Sequence, residues 1–156
     1  MRGLLAALLL LIFILIFSPF ASGQQSAYVK KYKPLAQKLA IKYKIPYSLI
    51  LGVAIVESSS GKGRTCRLLN NHFGIKGKNN LYKTRRIKTA YKQYSNAKSS
   101  YEDFCLLVTR RKFYPSLKGN PDPAIWIDKL SKTGYSERPE EWKRRITLVI
   151  EANRLN

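Results

Sequence analysis

One carboxylate in this chain stands where burial can tune it. Glu57 closes the run Leu49-Ile50-Leu51-Gly52-Val53-Ala54-Ile55-Val56, the most hydrophobic stretch that follows the first 23 residues. A carboxyl leaving a buried helix is partly desolvated, and desolvation penalises the charged form and raises the pKa. An acid that keeps its proton near neutral pH can hand it to a leaving group. Gly61 and Gly63 follow at once, so backbone or a ligand can approach closely. On burial alone the opposite reading, Glu57 as a helix-end residue pointing into water, stands equally open. His72, the only histidine, sits in a loop and reads as structural or surface. With two cysteines it makes no recognisable metal site, and no cofactor is expected.

The elements that must position Glu57 read as mostly helical. From Ala27 to Tyr43 apolar residues recur at Tyr28, Tyr32, Leu35, Ala36, Leu39, Ala40 and Tyr43, the spacing of one helix face, with lysines on the other. Pro34 is expected to split or kink this element. Pro46 suits the first position of a second helix, Tyr47 to about Ser58, apolar enough to run through the core. Residues 61–77 read as loop. Leu81 to Tyr94, with Tyr82, Thr84, Ile87, Thr89, Tyr91 and Tyr94 among basic residues, predicts a small hairpin. Ser99 with Glu102 forms a capping-box signature for a helix ending near Tyr114. Asp122-Pro123 opens another helix, which Gly134 closes, and Pro139 with Glu140 and Glu141 opens the last.

The fold class expected is therefore mainly α (α+β), a helical domain with a small, basic β-hairpin lobe. Residues 1–23 read as a signal peptide: Arg2, an apolar run from Leu4 to Phe17, Pro19, then Ala21-Ser22-Gly23 as a cleavage site. The run is too short for a comfortable span, so an exported domain of residues 24–156, with no stable membrane span after cleavage, is expected. An uncleaved anchor would also place it outside the cytoplasm. Net charge is +20, and the domain keeps 28 of the 29 Lys and Arg against 9 Asp and Glu. So strong a bias fits an anionic polymer of the envelope better than a specific nucleic acid. In an oxidising compartment Cys66 and Cys105 could pair, worth roughly 2–4 kcal/mol; two separate buried thiols are equally open.

The words around Glu57 narrow these options. Glu57-Ser58-Ser59-Ser60-Gly61-Lys62-Gly63, followed by Asn70-Asn71-His72-Phe73-Gly74-Ile75-Lys76-Gly77, resembles the signature of the family 73 glucosaminidases of the lysozyme-like superfamily. Ile45-Pro46-Tyr47-Ser48, Tyr94-Ser95 with Ser100 and Asp103, and Gly134-Tyr135 are similar to the family's flanking pieces in the same order. The resemblance covers roughly Tyr28 to Ile150. It implies a lysozyme-like fold and an endo-acting hydrolase of peptidoglycan glycan strands, with Glu57 as general acid and Tyr135 in the active site. It also implies that Asn71, Phe73 and Gly74 shape a substrate-binding cleft. From the residues themselves, Tyr135 and Phe73 read as core aromatics and Asp103 as a helix-start or hydrogen-bonding residue. One departure matters. Many members carry a second carboxylate in the β lobe, whereas Lys78 to Tyr101 contains no Asp or Glu. Glycoside hydrolysis usually needs two, and the candidates elsewhere are Asp122, Asp128, Glu137, Glu140 and Glu141. Either the substrate's own 2-acetamido group replaces the missing one, or the chain is a non-catalytic wall-binding module. A lytic transglycosylase is the nearest enzyme rival.

Overall fold

The computed structural model describes residues 26–155; the expected signal peptide, residues 1–23, lies outside them. The described residues are mostly helical, as expected, with helices α1 (Ala27–Tyr43), α2 (Tyr47–Ser58), α3 (Arg64–Leu69), α4 (Leu81–Arg85), α5 (Ala97–Thr109), α6 (Tyr114–Leu117), α7 (Pro123–Ser131) and α8 (Pro139–Ala152). None of these is long and apolar enough to cross a membrane.

α2 is the axle of the fold. Every residue from Ser48 to Val56 is buried, and α1, α5, α7 and α8 pack around it. A helix apolar on all sides is stable only when covered on all sides. Gly52 sets how closely α8 approaches: a Cβ there would stand 2.9 Å from Ile150 Cγ1 and 3.3 Å from Ile146 Cγ2. Ile146 and Ile150 lie on the same α8 face as Trp142, the three buried side chains of that helix. Their seating over Gly52 carries Trp142 to the C-terminal end of α2.

Several expectations hold in the helices and others are corrected. α1 runs through Pro34 as one element, because Tyr28 and Val29 before it and Ala36 and Leu39 after it are buried together. Pro46 caps α2 from the position before its first turn rather than within it. Asp122 accepts the Ala124 N–H to cap α7, and Pro139 opens α8. Gly134 does take a left-handed φ of 71°, yet α7 ends earlier, at Ser131. α5 starts ahead of the Ser99–Glu102 capping box: Asn96 is the cap, its Oδ1 accepting the Ser99 N–H at 2.9 Å. Glu102 reaches instead to Lys42 and Tyr43. Both cysteines are free and buried, which decides between the two readings in favour of separate thiols.

The predicted hairpin over Leu81–Tyr94 is absent. Its first half is the short helix α4, and its second half is extended chain whose antiparallel pairing is a single bridge between Lys76 and Tyr91. The reason is one side chain. Asn79 Nδ2 donates to the carbonyls of Thr89 and Tyr91, both at 2.9 Å, while its Oδ1 accepts the Leu81 N–H. An amide side chain thus satisfies the carbonyls that a neighbouring strand would have paired.

Candidate active site

Glu57 is the penultimate residue of α2, and the chain leaves the helix abruptly beyond it. Ser59, Ser60 and Gly61 all take positive φ, at 50°, 54° and 79°. The Ser58 hydroxyl stitches the turn, donating to the Ala54 carbonyl at 2.6 Å and accepting the Gly61 N–H at 2.8 Å. The Glu57 carboxyl is left half-buried at the end of the core.

α8 supplies its partner. The Trp142 indole N–H donates to Glu57 Oε1 at 2.7 Å. An indole N–H can only donate, so Oε1 is the accepting oxygen and a proton held by the acid belongs on Oε2. That oxygen faces Gly74: a Cβ on Gly74 would stand 3.3 Å from Glu57 Oε2 and 3.9 Å from Tyr91 Cε1. Gly74 has φ 65°, so both its backbone conformation and its surroundings call for glycine. Burial raises the Glu57 pKa, and the Trp142 bond and the Arg145 charge only partly counter it. The arrangement favours the protonated carboxyl, with its unbonded oxygen towards Gly74.

Tyr135 meets the same place from the other side. Its hydroxyl donates to the Phe73 carbonyl at 2.7 Å and its ring centroid lies 5.4 Å from that of Trp142. Burial and then the Glu57 charge hold the phenol far above its ordinary pKa. Tyr135 is therefore a proton-bearing group beside the acid, suited to donate hydrogen bonds and unsuited to act as a base.

Asn71 and Phe73 shape this wall from within. Asn71 uses its whole amide on the loop: Oδ1 accepts the N–H groups of Phe73 and Ile75, and Nδ2 donates to the carbonyls of Ile75 and Lys92. The Phe73 side chain is 1% exposed and stacks on Phe104 with centroids 4.3 Å apart, so its ring is a core anchor and not a sugar platform. His72 is also buried, with Nδ1 2.7 Å from the Tyr28 hydroxyl, and burial pushes its pKa down to about 4. Asp103 accepts from Lys92 Nζ and from the Tyr94 hydroxyl, each at 2.7 Å. It is a hydrogen-bonding residue.

The acids weighed as a second catalytic carboxylate have other partners. Asp122 caps α7, Asp128 pairs with Lys132 and Lys143, Glu140 with Lys143 and Glu141 with Arg138. Glu137 is exposed. Among the described residues none of these acids bonds to Glu57 or Tyr135, and no cluster of three or more His, Cys, Asp or Glu could hold a metal ion.

Residues 33–155 match the glucosaminidase family, described as mannosyl-glycoprotein endo-beta-N-acetylglucosaminidase. The chain belongs to this family. It is 26% identical over 147 residues to the exo-glucosaminidase LytG of Bacillus subtilis, an alignment covering 82% of this chain and 51% of that protein. The chain thus spans about half the length of the curated relative it matches. In fold it is similar to the catalytic domain of the autolysin Auto from Listeria monocytogenes (TM-score 0.68, 18% identity, 86% of this chain and 89% of that one). It is also similar to a C-terminally truncated glycoside hydrolase domain of FlgJ from Salmonella typhimurium (TM-score 0.63, 21% identity, 80% and 93%). The chain carries the mostly helical fold of these domains.

Two residues at the site escaped sequence reasoning. Trp142 lies 85 positions from Glu57, and its signal was its place with Ile146 and Ile150 on one face of the last helix. Tyr91, 37% exposed beside Gly74, was assigned to a strand instead of to the cleft.

Proposed function

We propose that this chain is an exported peptidoglycan hydrolase that cleaves the β-1,4 bond on the reducing side of N-acetylglucosamine. The observation that carries the reading is the Glu57 carboxyl: half-buried, raised in pKa, held at Oε1 by Trp142 and open at Oε2 towards Gly74 and Tyr91. Oε2 gives its proton to the glycosidic oxygen as the C1–O bond breaks, a general-acid step. The acetamido carbonyl oxygen on C2 of the same sugar then bonds to C1, in place of a carboxylate nucleophile. This substrate-assisted route is an established exception to the two-carboxylate rule, and it fits a lobe without acids. Water next opens the cyclic intermediate at C1 while Glu57, now a carboxylate, takes up its proton. Tyr135 positions the loop carbonyl and the sugar beside the acid.

Export by the segment 1–23 would bring the domain to its substrate in the periplasm, cell envelope or extracellular space. Lys83, Arg85, Arg86 and Lys88 are exposed around α4 and would hold carboxylates or phosphates of wall polymers by long-range attraction. Lys92 is instead turned onto Asp103.

Digestion of purified sacculi by the parent and Glu57→Gln proteins, followed by mass spectrometry of new sugar ends, tests this reading. Free reducing N-acetylglucosamine from the parent alone is expected. Anhydro ends, lighter by one water, indicate a lytic transglycosylase; co-sedimentation without release indicates a wall-binding module. Undiminished release by Glu57→Gln contradicts the acid assignment.

A further inference from the structure

A hollow lies one residue further along the two segments that flank Gly74 and Tyr91. It has a volume of about 370 Å³ and is lined by Ile75, Lys92, Asp103, Leu107, Arg110 and Arg111. The only antiparallel pairing among the described residues fixes where it lies. Gly74 and Tyr91 stand beside the Glu57 carboxyl. The next residue along each segment, Ile75 and Lys92, joins the other through the Lys92 N–H to the Ile75 carbonyl at 2.8 Å, and both form the wall of the hollow. Successive side chains of extended chain alternate between faces, so Lys92 lies over Gly77 on the face opposite Tyr91. A group extending from a sugar held at Glu57 enters the hollow by passing round the paired segments.

The lining is cationic and unevenly used. Three cations face one carboxylate, and Asp103 is already engaged by Lys92 and Tyr94. Among the described residues neither Arg110 nor Arg111 has an acidic partner. The Arg111 Nε is buried with no acceptor, a costly state for a charged donor. The Arg111 charge lowers the Tyr135 pKa where the Glu57 charge raises it, so both act on the same phenol. Ile75 and Leu107 add an aliphatic wall. A guanidinium pair beside aliphatic side chains selects a carboxylate on a short apolar residue.

We propose that this hollow is a subsite for a carboxylate of the peptide stem hanging from the glycan strand, with Arg110 and Arg111 as its ligands. The proposal rests on Glu57 marking the glycan cleft. It makes the enzyme one that reads the stem as well as the sugar.

The test compares three forms of one glycan: stem-bearing strands, strands stripped of their peptides, and strands whose stem carboxylates are amidated. The parent should cleave stem-bearing strands with a KM about tenfold lower than amidated ones, the order expected for one charge-assisted contact. Arg110→Gln/Arg111→Gln should lose that preference and match the parent on stripped strands. Because Arg111 is partly buried, the exposed Arg110→Gln alone and the amidated substrate with unaltered protein keep the test independent of folding. Equal KM for the parent on charged and amidated strands overturns the subsite. A double-variant loss that is the same on stripped strands overturns it too. If Glu57→Gln stays active the catalytic reading fails on its own. Sedimentation of parent and double variant with charged against amidated strands then decides the subsite separately.

Discussion

Glu57 and His72 adjoin the same loop, Asn71–Ile75, and burial disfavours the charged form of both, yet the two sides of that loop do different work. Behind it, the His72 ring lies between Tyr28, Tyr32 and Tyr101, with centroids 4.9 to 5.8 Å away, and is sealed from solvent. In front, Glu57 is only half-buried, one oxygen fixed by an indole and the other left facing Gly74. A shifted pKa therefore marks an environment, and only access to the shifted group marks a site. Asp103 supplies the third case. Burial would raise it, but the Lys92 ammonium and the Tyr94 hydroxyl pull it below the usual carboxylate range, so it stays charged and occupied.

The difference is sharpest in substitutions. Glu57→Gln should lower kcat by about 100- to 10,000-fold, the span of a general acid's contribution, with circular dichroism unchanged. Its melting temperature at pH 7 should equal or exceed the parent's. The folded-state pKa of Glu57 is raised, so its ionisation works against folding as pH rises through that value. Lower stability at pH 7 would break the claim that burial governs the site.

His72 should show the opposite pH sign. Its folded pKa, pushed down to about 4, lies below the ordinary 6.5, so its contribution is complete above pH 6.5 and is lost as pH falls towards 4. The loss is up to about 3 kcal/mol. Thermal melts from pH 7 to 4 should show a smaller decline in His72→Gln than in the parent. Equal declines would mean the ring is not held neutral.

Gly74→Ala joins the two regions, since it adds a methyl group 3.3 Å from Glu57 Oε2 and strains a φ of 65°. A loss of about 1–2 kcal/mol in stability is expected from the backbone alone, with kcat down about tenfold in steady-state assays. Asp103→Asn should have the smallest effect, under about 1 kcal/mol for a partly exposed pair, with kcat within about twofold. A loss of kcat comparable to that of Glu57→Gln would make Asp103 the missing second carboxylate.

The sequence made the front of the site legible because its signals are local. An unbroken apolar run ending in an acid, then a glycine turn, places Glu57 without any tertiary information, and the Asn-Asn-His-Phe-Gly block places the loop against it. What stayed hidden depends on pairing across the chain. Trp142 reaches Glu57 only because Gly52 lets Ile146 and Ile150 settle on α2. The lobe was misread for a related reason. The β-branched and aromatic residues of 82–94 have strand propensity, but propensity was overridden where Asn79 took the carbonyl bonds. The unequal use of cations around Asp103 could not be read at all, since a lysine in a basic run carries no local mark of its partner.

Direct titration of the Glu57 side-chain carboxyl by carbon-13 NMR, in the parent and in Trp142→Phe, tests the central claim most closely. The parent pKa should lie above the ordinary glutamate value. Because the indole bond lowers it, the Trp142→Phe pKa should lie higher still. A parent value at or below the ordinary range, or a fall on removing the indole, would contradict a proton held by burial on the open oxygen of Glu57.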